Sequence, residues 1–215
     1  IAHELRTPLM IGSGYLHALN KGVLTKEQLA TSMETITRNV DQIVTLTNDI
    51  LFLQEMDLVL PEFQSVNMVE VVDRVIDKYK EKAQARHITL TTKGGNNISN
   101  IQGDVKSLER AATALVDNAI KFSAPGGEVE VSFAEQGNQV SISVRDHGIG
   151  INPEIRSRIF DRFFHLEKNG DELYSGVGIG LSITRQVIHQ HKGTLDVQSV
   201  FGEGSKFTMT LLKWK

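Results

Sequence analysis

The first part of the chain carries apolar residues at alternating intervals of three and four, which is the spacing of a helical seam. One seam joins Ala2, Leu5, Leu9, Gly12, Leu16 and Leu19. A second joins Leu29, Met33, Ile36, Val40, Ile43, Thr47 and Ile50. Between them, Asn20-Lys21-Gly22 is typical of a helix end, and Thr25 with Gln28 predicts a capping box. We therefore predict a helical hairpin over residues 1–58.

A hairpin of two helices cannot bury both of its seams by itself. Pairing of two hairpins into a four-helix bundle would cover them, so we predict a homodimer. Pro8 lies inside the first helical pattern and lacks a backbone donor, which predicts a local bend at this point.

The pattern changes around Pro61, and we predict that residues 59–64 form a linker. Beyond the linker, residues 65–215 mix helical spacing with the alternation typical of strands. Helices are predicted over residues 68–86, 104–122 and 179–191, with a short helix that starts at Asn152. Strands are predicted over residues 87–92, 128–133, 140–144, 194–200 and 206–212. The second domain is therefore expected to be α+β with a mostly antiparallel sheet.

Composition narrows the possible functions. The 215 residues include no cysteine, which excludes disulfides, thiolate zinc sites and a cysteine nucleophile. The net charge of −3 does not favour nucleic-acid binding, and no apolar run approaches a membrane span. We expect a cytoplasmic fragment without direct membrane contact. All 18 glycines except Gly12, Gly14 and Gly22 lie beyond Lys93, which places most turns in the second domain.

The first helix carries a candidate nucleophile. His3 and Thr7 are four residues apart and share one face, away from the apolar seam. The carboxylate of Glu4 can hold the imidazole Nδ1–H, which leaves the lone pair of Nε2 free to attack. Spacing alone leaves open a plainer interpretation, a solvated histidine on a charged helix surface.

Two polar residues lie together on the helix predicted over residues 104–122. Asn118 offers an amide oxygen, a kind of ligand that Mg²⁺ accepts, and Lys121 offers a positive charge to phosphate. Taken alone, the pair is equally compatible with a solvated helix face.

Two glycine-rich segments have the chemistry of a nucleotide site. In Asp146-His147-Gly148-Ile149-Gly150 the carboxylate can accept from an exocyclic amino group, such as that of adenine, and the glycines let the backbone approach a flat base. The segment Gly176-Val177-Gly178-Ile179-Gly180-Leu181 precedes a helix whose N terminus can face phosphate oxygens. Each segment by itself is also compatible with a simple turn, which is the role assigned to Gly202 and Gly204.

In this order and spacing, five segments together resemble the sequence boxes of sensor histidine kinases. His3-Glu4-Leu5-Arg6-Thr7-Pro8-Leu9 resembles the H box. Residues 117–122, 146–150, 159–164 and 176–181 resemble the N, G1, F and G2 boxes. The resemblance covers essentially the whole chain. It implies a dimeric four-helix bundle followed by an α/β sandwich ATP-binding domain of the histidine kinase/Hsp90/gyrase type.

The resemblance also implies roles for the first helix. His3 would accept the γ-phosphoryl group of ATP and pass it to an aspartate in the receiver domain of a response regulator. Glu4 is implied as the general base. Thr7 is implied in the reverse task, in which it orients water on the phosphorylated regulator.

The same resemblance assigns the nucleotide site. Asn118 would bind Mg²⁺, Lys121 the phosphates of ATP, and Asp146 the adenine amino group. The other nucleotide-binding residues implied are Phe122, Gly148, Gly150, Ile151, Gly176, Gly178, Gly180 and Leu181. Residues 164–178 would form the lid over ATP.

Three positions depart from the usual pattern of this family. Ala114, His165 and Val177 stand where Asn, Arg and Thr are common, and each loses a polar contact to phosphate or metal. We therefore keep two alternatives to an active kinase. One is a dimeric nucleotide-binding scaffold with weak or no autokinase activity, and the other is an enzyme dominated by regulator phosphatase activity. A gyrase-like ATPase is disfavoured because it has no use for His3 in a helical hairpin.

Overall fold

The computed structural model of the chain describes residues 2–22, 25–58, 61–164, 166–168, 172–173 and 178–215, without the side chains of residues 2–4, 26, 57, 167–168 and 172–173. The chain divides into two compact units, Ile1–Val59 with Arg162–Ile179 and Leu60–Asp161 with Gly180–Lys215. His165, Gly176 and Val177, together with the side chains of His3 and Glu4, lie outside the described part.

The first unit contains the predicted helical hairpin. Helix α1 (Ala2–Asn20) continues through Pro8, and helix α2 (Lys26–Leu58) packs along it. Gly22, with a φ of +65°, adopts the left-handed conformation that commonly follows a helix. No helix in the described part of the chain combines the length and apolar character needed to cross a bilayer.

The start of α2 confirms the predicted capping box. Thr25 N–H donates to Gln28 Oε1 at 2.9 Å, and Gln28 N–H donates to Thr25 Oγ1 at 3.3 Å. Two backbone donors that the helix itself cannot satisfy are therefore paired reciprocally. These local bonds set the residue at which the hairpin turns back.

The buried stripe of α2 is displaced by one residue from the predicted seam. A row of buried positions seven residues apart runs through Ser32, Asn39, Leu46 and Leu53, and Asp49, Phe52 and Met56 are buried beside it. The apolar positions beside them that stay exposed are Leu29, Met33, Val40, Val44 and Leu51. Ser32 and Asn39 donate to carbonyls of their own helix, which satisfies these buried polar groups. We call the exposed set the outer stripe.

The helices of the second unit agree with the sequence predictions to within one residue at each end. Helix α3 (Met68–Ala85) starts after Asn67, whose side chain accepts from N–H groups of the first turn. Helix α4 (Val105–Phe122) starts after Asp104, which caps it as predicted. Helix α5 covers Gly180–Gln190. The caps supply acceptors to backbone donors that would otherwise be unpaired.

Two short strand pairs lie outside the sequence predictions. Strand β1 (Gln64–Val66) pairs antiparallel with β3 (Ile101–Gly103) in the second unit. Strands β6 (Glu167–Lys168) and β7 (Glu172–Leu173) pair in the same way. Segments of two or three residues are too short to show the alternation on which strand prediction depends.

Five described strands form the main sheet, in the order β2-β4-β5-β9-β8. They cover Thr89–Lys93 (β2), Glu128–Gln136 (β4), Gln139–Asp146 (β5), Thr194–Val200 (β8) and Gly204–Leu212 (β9). The β2–β4 pair is parallel and the other pairs are antiparallel, which confirms a mostly antiparallel sheet. Strand β2 starts two residues later than predicted because His87 has a left-handed φ of +57°. A 3₁₀ helix (Pro153–Ile155) follows Asn152 as predicted.

One face of the main sheet forms the core together with α4 and α5. Alternate residues of β4, β5 and β9 are buried on this face, among them Val129, Val131, Ile142, Val144, Met209 and Leu211. The helices contribute Leu108, Ala112, Leu115, Ile120, Ile183 and Val187. On the opposite face, hydroxyl groups pair across β5 and β9, with Ser143 and Thr208 at 2.9 Å. The predicted α/β sandwich is therefore confirmed.

A buried histidine joins three segments of the second unit. His191 Nε2 accepts from Asp104 N–H at 2.9 Å, and Nδ1 donates to Val187 O at 2.7 Å. The ring lies against Phe63, with 4.9 Å between centroids. These bonds require a neutral ring with its proton on Nδ1. Burial lowers the pKa of His191, against the opposing effects of the Val187 carbonyl and the Asp104 charge.

We expect His191 to make folding stability depend on pH in the mildly acidic range. Because its pKa is lower in the folded protein, the unfolded chain binds more protons there. The stabilisation that neutral His191 contributes is fully present above about pH 6.5, which is the pKa of a histidine in the unfolded chain. It is lost as the pH falls towards the lower pKa of His191 in the folded protein. Denaturant unfolding at about pH 5.5 and about pH 7.5 should therefore differ less in His191→Gln than in the wild type.

The neighbouring His189 provides the control for this measurement, because it is exposed. His189→Gln should keep the pH dependence of the wild type. Equal pH dependence in His191→Gln and the wild type would show that His191 does not contribute.

Candidate functional site

The C-terminal half of α4 presents the predicted polar residues of the site. Asn118, Lys121 and Phe122 are all half-buried. Lys121 Nζ lies 4.6 Å from the centre of the Phe122 ring, in a cation–π geometry. Burial lowers the pKa of Lys121 to about 8, with the negative charge of Asp117 opposing this shift and the positive charge of Lys82 adding to it. A bound anion would favour the charged form of this lysine.

The end of β5 holds a buried carboxylate. Asp146 is 5% exposed, and its Oδ1 accepts from Gly148 N–H at 2.9 Å and from Ser205 N–H at 3.3 Å. Burial raises the pKa of Asp146, whereas the two N–H bonds and the nearby His147 act in the opposite direction. Both bonds engage the same oxygen, so the carboxylate has one orientation and Oδ2 keeps its own capacity to accept.

The glycine loop after Asp146 lies directly against the end of α4. Ile149 N–H donates to Phe122 O at 3.3 Å. A Cβ at Gly148 would lie 2.2 Å from the same carbonyl oxygen, so a glycine is needed for this approach. The structure thereby brings residues 118–122 and 146–151 together, although they are separate segments of the sequence.

The turn between β8 and β9 also belongs to this site, which its sequence did not indicate. Gly202 N–H donates to Ile149 O at 2.8 Å. Gly204 has a φ of +120°, and a Cβ there would lie 2.2 Å from Asp146 O. Gly204 is therefore more than the simple turn residue that was predicted, because it lets the turn close against the backbone of Asp146.

Ser199 joins the same turn to the glycine loop. Its hydroxyl accepts from Ile151 N–H at 2.8 Å and donates to Gly204 O at 2.9 Å. Gly150 is enclosed between them, since a Cβ there would lie 2.0 Å from Val200 O. A serine beside a glycine turn is a weak sequence signal, and only the pairing of β8 with β9 reveals what it contacts.

The start of α5 lies beside α4. A Cβ at Gly180 would lie 3.3 Å from Ala114 Cβ, and Thr184 Oγ1 donates to Gly180 O at 3.0 Å. Ala114 and Asn118 are four residues apart and share a helix face. The first residues of α5, Gly180 and the half-buried Leu181, are thus placed at the α4 face that carries Asn118.

The ends of the predicted lid are joined by backbone contacts in the first unit. Phe163 N–H donates to Gly178 O at 2.9 Å, and both residues have a left-handed φ. A Cβ at Gly178 would lie 2.6 Å from Phe164 O. Gly176, with most of the lid, lies outside the described residues.

The candidate nucleophile lies on α1. His3, Glu4 and Thr7 all belong to this helix, and Thr7 is exposed. The orientation of His3 and Glu4 towards each other therefore stays a prediction.

Asn118 is the candidate metal ligand among the described residues of this site. Within the described residues, no three His, Cys, Asp or Glu side chains are grouped so as to hold a metal ion. Asn118 fits as a single protein ligand, because its amide oxygen is a hard donor and Mg²⁺ usually keeps several water and phosphate ligands.

Two family models match the chain. Residues 1–58 match the His Kinase A (phospho-acceptor) domain. Residues 103–215 match the histidine kinase-, DNA gyrase B- and HSP90-like ATPase. The second match covers more than half of the chain and contains the α4 residues, the glycine loop and the β8–β9 turn.

Curated relatives are similar over nearly the whole chain. Sensor histidine kinase WalK of Bacillus subtilis is 29% identical over 98% of this chain and 35% of its own length. Histidine protein kinase SaeS of Staphylococcus aureus is 30% identical over 99% of this chain and 62% of its own length. The chain thus spans about one third to somewhat under two thirds of the length of these relatives.

A solved structure supports the same grouping. The crystal structure of full-length ShkA in complex with AMPPNP is 25% identical, with a TM-score of 0.71, over 99% of this chain and 45% of ShkA. The chain therefore belongs to the histidine kinase-, DNA gyrase B- and HSP90-like ATPase family, carries a His Kinase A phospho-acceptor domain before the ATPase domain, and is similar over nearly its whole length to sensor histidine kinases.

Proposed function

We propose that this chain is an ATP-dependent kinase core that phosphorylates His3 and passes the phosphoryl group to an aspartate in the receiver domain of a response regulator. The observation that carries the proposal is the junction at Phe122, whose carbonyl binds the loop that follows Asp146. The buried Asp146 carboxylate, which is suited to accept from a nucleotide base, is thereby linked to the helix end that carries the half-buried Lys121. Family membership supports the same activity.

The adenine base would be recognised at the end of β5. Asp146 Oδ2 would accept from the adenine amino group, since Oδ1 is already engaged by two backbone N–H groups. Gly148, Gly150 and Ile151 would flank the base with a backbone held rigidly against its neighbours. Phe122 would add an apolar surface at the end of α4.

The phosphates would lie towards α4 and the start of α5. Lys121 supplies a positive charge that burial has partly stripped of water. The positive end of the α5 dipole suits the same anion. Asn118 is the proposed protein ligand of Mg²⁺, which supplies charge neutralisation to the phosphates when bound. The further phosphate-side residues proposed are Gly176, Gly178, Gly180 and Leu181.

The transfer requires a neutral imidazole at His3. With Nδ1–H held by Glu4, Nε2 attacks the γ-phosphorus of ATP, and the bond from phosphorus to the β–γ bridging oxygen breaks. ADP leaves with that electron pair, and Glu4 takes the Nδ1 proton from the cationic phosphorylated ring. Thr7 is the proposed residue for the reverse task, in which it orients water for dephosphorylation of the regulator.

We propose the domain organisation that was predicted from the sequence. Residues 1–58 form the proposed dimerisation and phosphoacceptor domain, residues 59–64 the linker, and residues 65–215 the ATP-binding domain. The proposed task of the linker is to let the ATP-binding domain reach His3. The outer stripe of α2 supports a homodimer, because a row of exposed apolar residues on a long helix is stabilised by a second helical surface.

A dimeric nucleotide-binding scaffold with weak or no autokinase activity is the second candidate. Ala114 favours it, because a methyl group lies against Gly180 on the same face of α4 as Asn118. A polar side chain there would offer a further contact to phosphate or metal. Tight ATP binding without labelling of His3 would favour the scaffold, and labelling at ordinary kinase rates would reject it.

Replacing His3 with glutamine should abolish phosphate incorporation from γ-³²P-labelled ATP, because glutamine has no nucleophilic ring nitrogen. The wild type should carry label that is labile in acid and stable in base. His17→Gln is the matched control, since His17 is exposed on the same helix and should not affect labelling. Label that persists in His3→Gln would reject His3 as the phosphoacceptor.

ATP binding should weaken as the pH rises through about 8, the pKa of Lys121 in the free protein. Only the protonated amine attracts phosphate, and the phosphate itself is fully ionised there because its second pKa is about 6. Calorimetric titration between about pH 7 and about pH 9.5 should show that the dissociation constant of ATP rises by up to about tenfold per pH unit.

Lys121→Arg is the control for this pH dependence, because a guanidinium keeps its charge throughout the range. The affinity of the Lys121→Arg variant for ATP should vary less with pH than the affinity of the wild type. The same pH dependence in both proteins would mean that Lys121 does not bind the phosphates.

A charge in the outer stripe should dissociate the proposed homodimer. Val44→Glu would place a carboxylate where a second apolar surface is expected, so light scattering should show monomers at concentrations where the wild type is dimeric. Thr45→Glu is the matched control, since Thr45 is exposed but lies outside the outer stripe. A monomeric wild type, or equal dissociation of both variants, would contradict this interface.

A further inference from the structure

The last carbonyl groups of a helix have no partners within the helix and need other donors. At the end of α4, Ala119 O accepts from Ser123 N–H at 3.1 Å and from the Ser123 hydroxyl at 2.7 Å. Phe122 O accepts from the glycine loop, as described above. The other carbonyls at this end are those of Ile120, Lys121 and Ser123.

A single guanidinium satisfies all three of these carbonyls. Arg86 Nη1 donates to Ile120 O at 2.6 Å and to Lys121 O at 2.8 Å, and Nη2 donates to Ser123 O at 3.0 Å. Arg86 directly follows α3, and its own carbonyl accepts from Gly126 N–H at 3.3 Å. The end of α3 is thereby tied to the end of α4 by three charge-assisted hydrogen bonds.

Both charge and shape suit arginine at this position. A helix C terminus carries a partial negative charge, so a cation stabilises it. The planar guanidinium projects its donors in fixed directions and can bind several carbonyls at once, whereas the ammonium group of lysine lacks this rigid fork. The three bonds are partly buried, which limits competition from water.

We infer that Arg86 is a positioning residue for the nucleotide, because it fixes the turn of α4 from which Lys121 and Phe122 project. Lys121 faces the phosphate side of the proposed site, and Phe122 O anchors the loop that follows Asp146. Loosening this turn would therefore disturb the phosphate side and the base side together. The inference rests on the nucleotide binding proposed above.

A second contact between α3 and α4 offers a matched control. Arg74 Nε and Nη2 both lie 3.2 Å from Glu109 Oε2. The pair is exposed, and Glu109 lies in the first half of α4. Arg74→Gln therefore removes an arginine contact between the same two helices without changing the last turn of α4.

The experiment measures the dissociation constant of AMPPNP with Mg²⁺ by calorimetry, using the whole chain at a temperature where circular dichroism shows each variant folded. Arg86→Gln should bind AMPPNP about tenfold more weakly than the wild type, because loss of the charge-assisted hydrogen bonds loosens the turn that carries Lys121 and Phe122. The dissociation constant of Arg86→Lys should lie between those of the wild type and Arg86→Gln. Arg74→Gln should stay within about twofold of the wild type.

A second measurement separates positioning from a general loss of stability. The pH dependence of AMPPNP binding reports the pKa of Lys121, which is about 8 in the wild type. A loosened turn would hydrate Lys121 and move its pKa upwards in Arg86→Gln. A protein that is merely less stable, with its site intact, would keep the wild-type midpoint.

The inference is overturned if Arg86→Gln binds AMPPNP as tightly as the wild type with the same midpoint, or if Arg74→Gln weakens binding equally. If Arg86→Gln does not fold, Arg86→Lys is judged by the same two measurements. A wild type that binds AMPPNP but does not label His3 would reject the kinase activity and leave this inference standing. A wild type that does not bind AMPPNP would reject both.

Discussion

Burial of the Asp146 carboxylate is the constraint on which the ATP-binding unit depends. A carboxylate that is only 5% exposed needs hydrogen bonds from groups that can come very close to it. Gly148 and Gly204 make this approach possible, because neither position has room for a Cβ. The glycine loop and the β8–β9 turn are therefore held together, and the end of β5 presents a single carboxylate oxygen in one orientation.

The end of α4 is also held in place by hydrogen bonds, on the phosphate side of the proposed site. Phe122 O accepts from the glycine loop while Arg86 binds neighbouring carbonyls, so Lys121 projects from a turn that is bonded on two sides. Burial of Lys121 lowers its pKa, which is unfavourable for the free protein and is offset when an anion binds. The Asp146 carboxylate, which would accept from the nucleotide base, and the partly desolvated Lys121 ammonium are thus connected through backbone hydrogen bonds.

Much of the fold could be predicted because it follows from neighbouring residues. The capping box of Thr25 and Gln28, the Asp104 cap and the alternation along β4 and β5 each depend on a few consecutive positions. The β1–β3 pair could not be predicted, because three residues show no period. The stripe of α2 that is buried within the hairpin lies one residue from the predicted seam, because apolar spacing does not reveal which of two adjacent stripes packs inside the hairpin and which is left for a second copy.

For the site, the sequence by itself determined the chemical groups, since Asn118, Lys121, Asp146 and the glycines occur within short linear motifs. Only the tertiary structure decided what holds them. Arg86 donates to the carbonyl of Lys121, which is 35 residues away in the sequence. The Ser199 hydroxyl accepts from the N–H of Ile151, which is 48 residues away. A hydrogen bond from a side chain to a distant backbone group depends on distance in space, so it leaves no periodic pattern in the sequence.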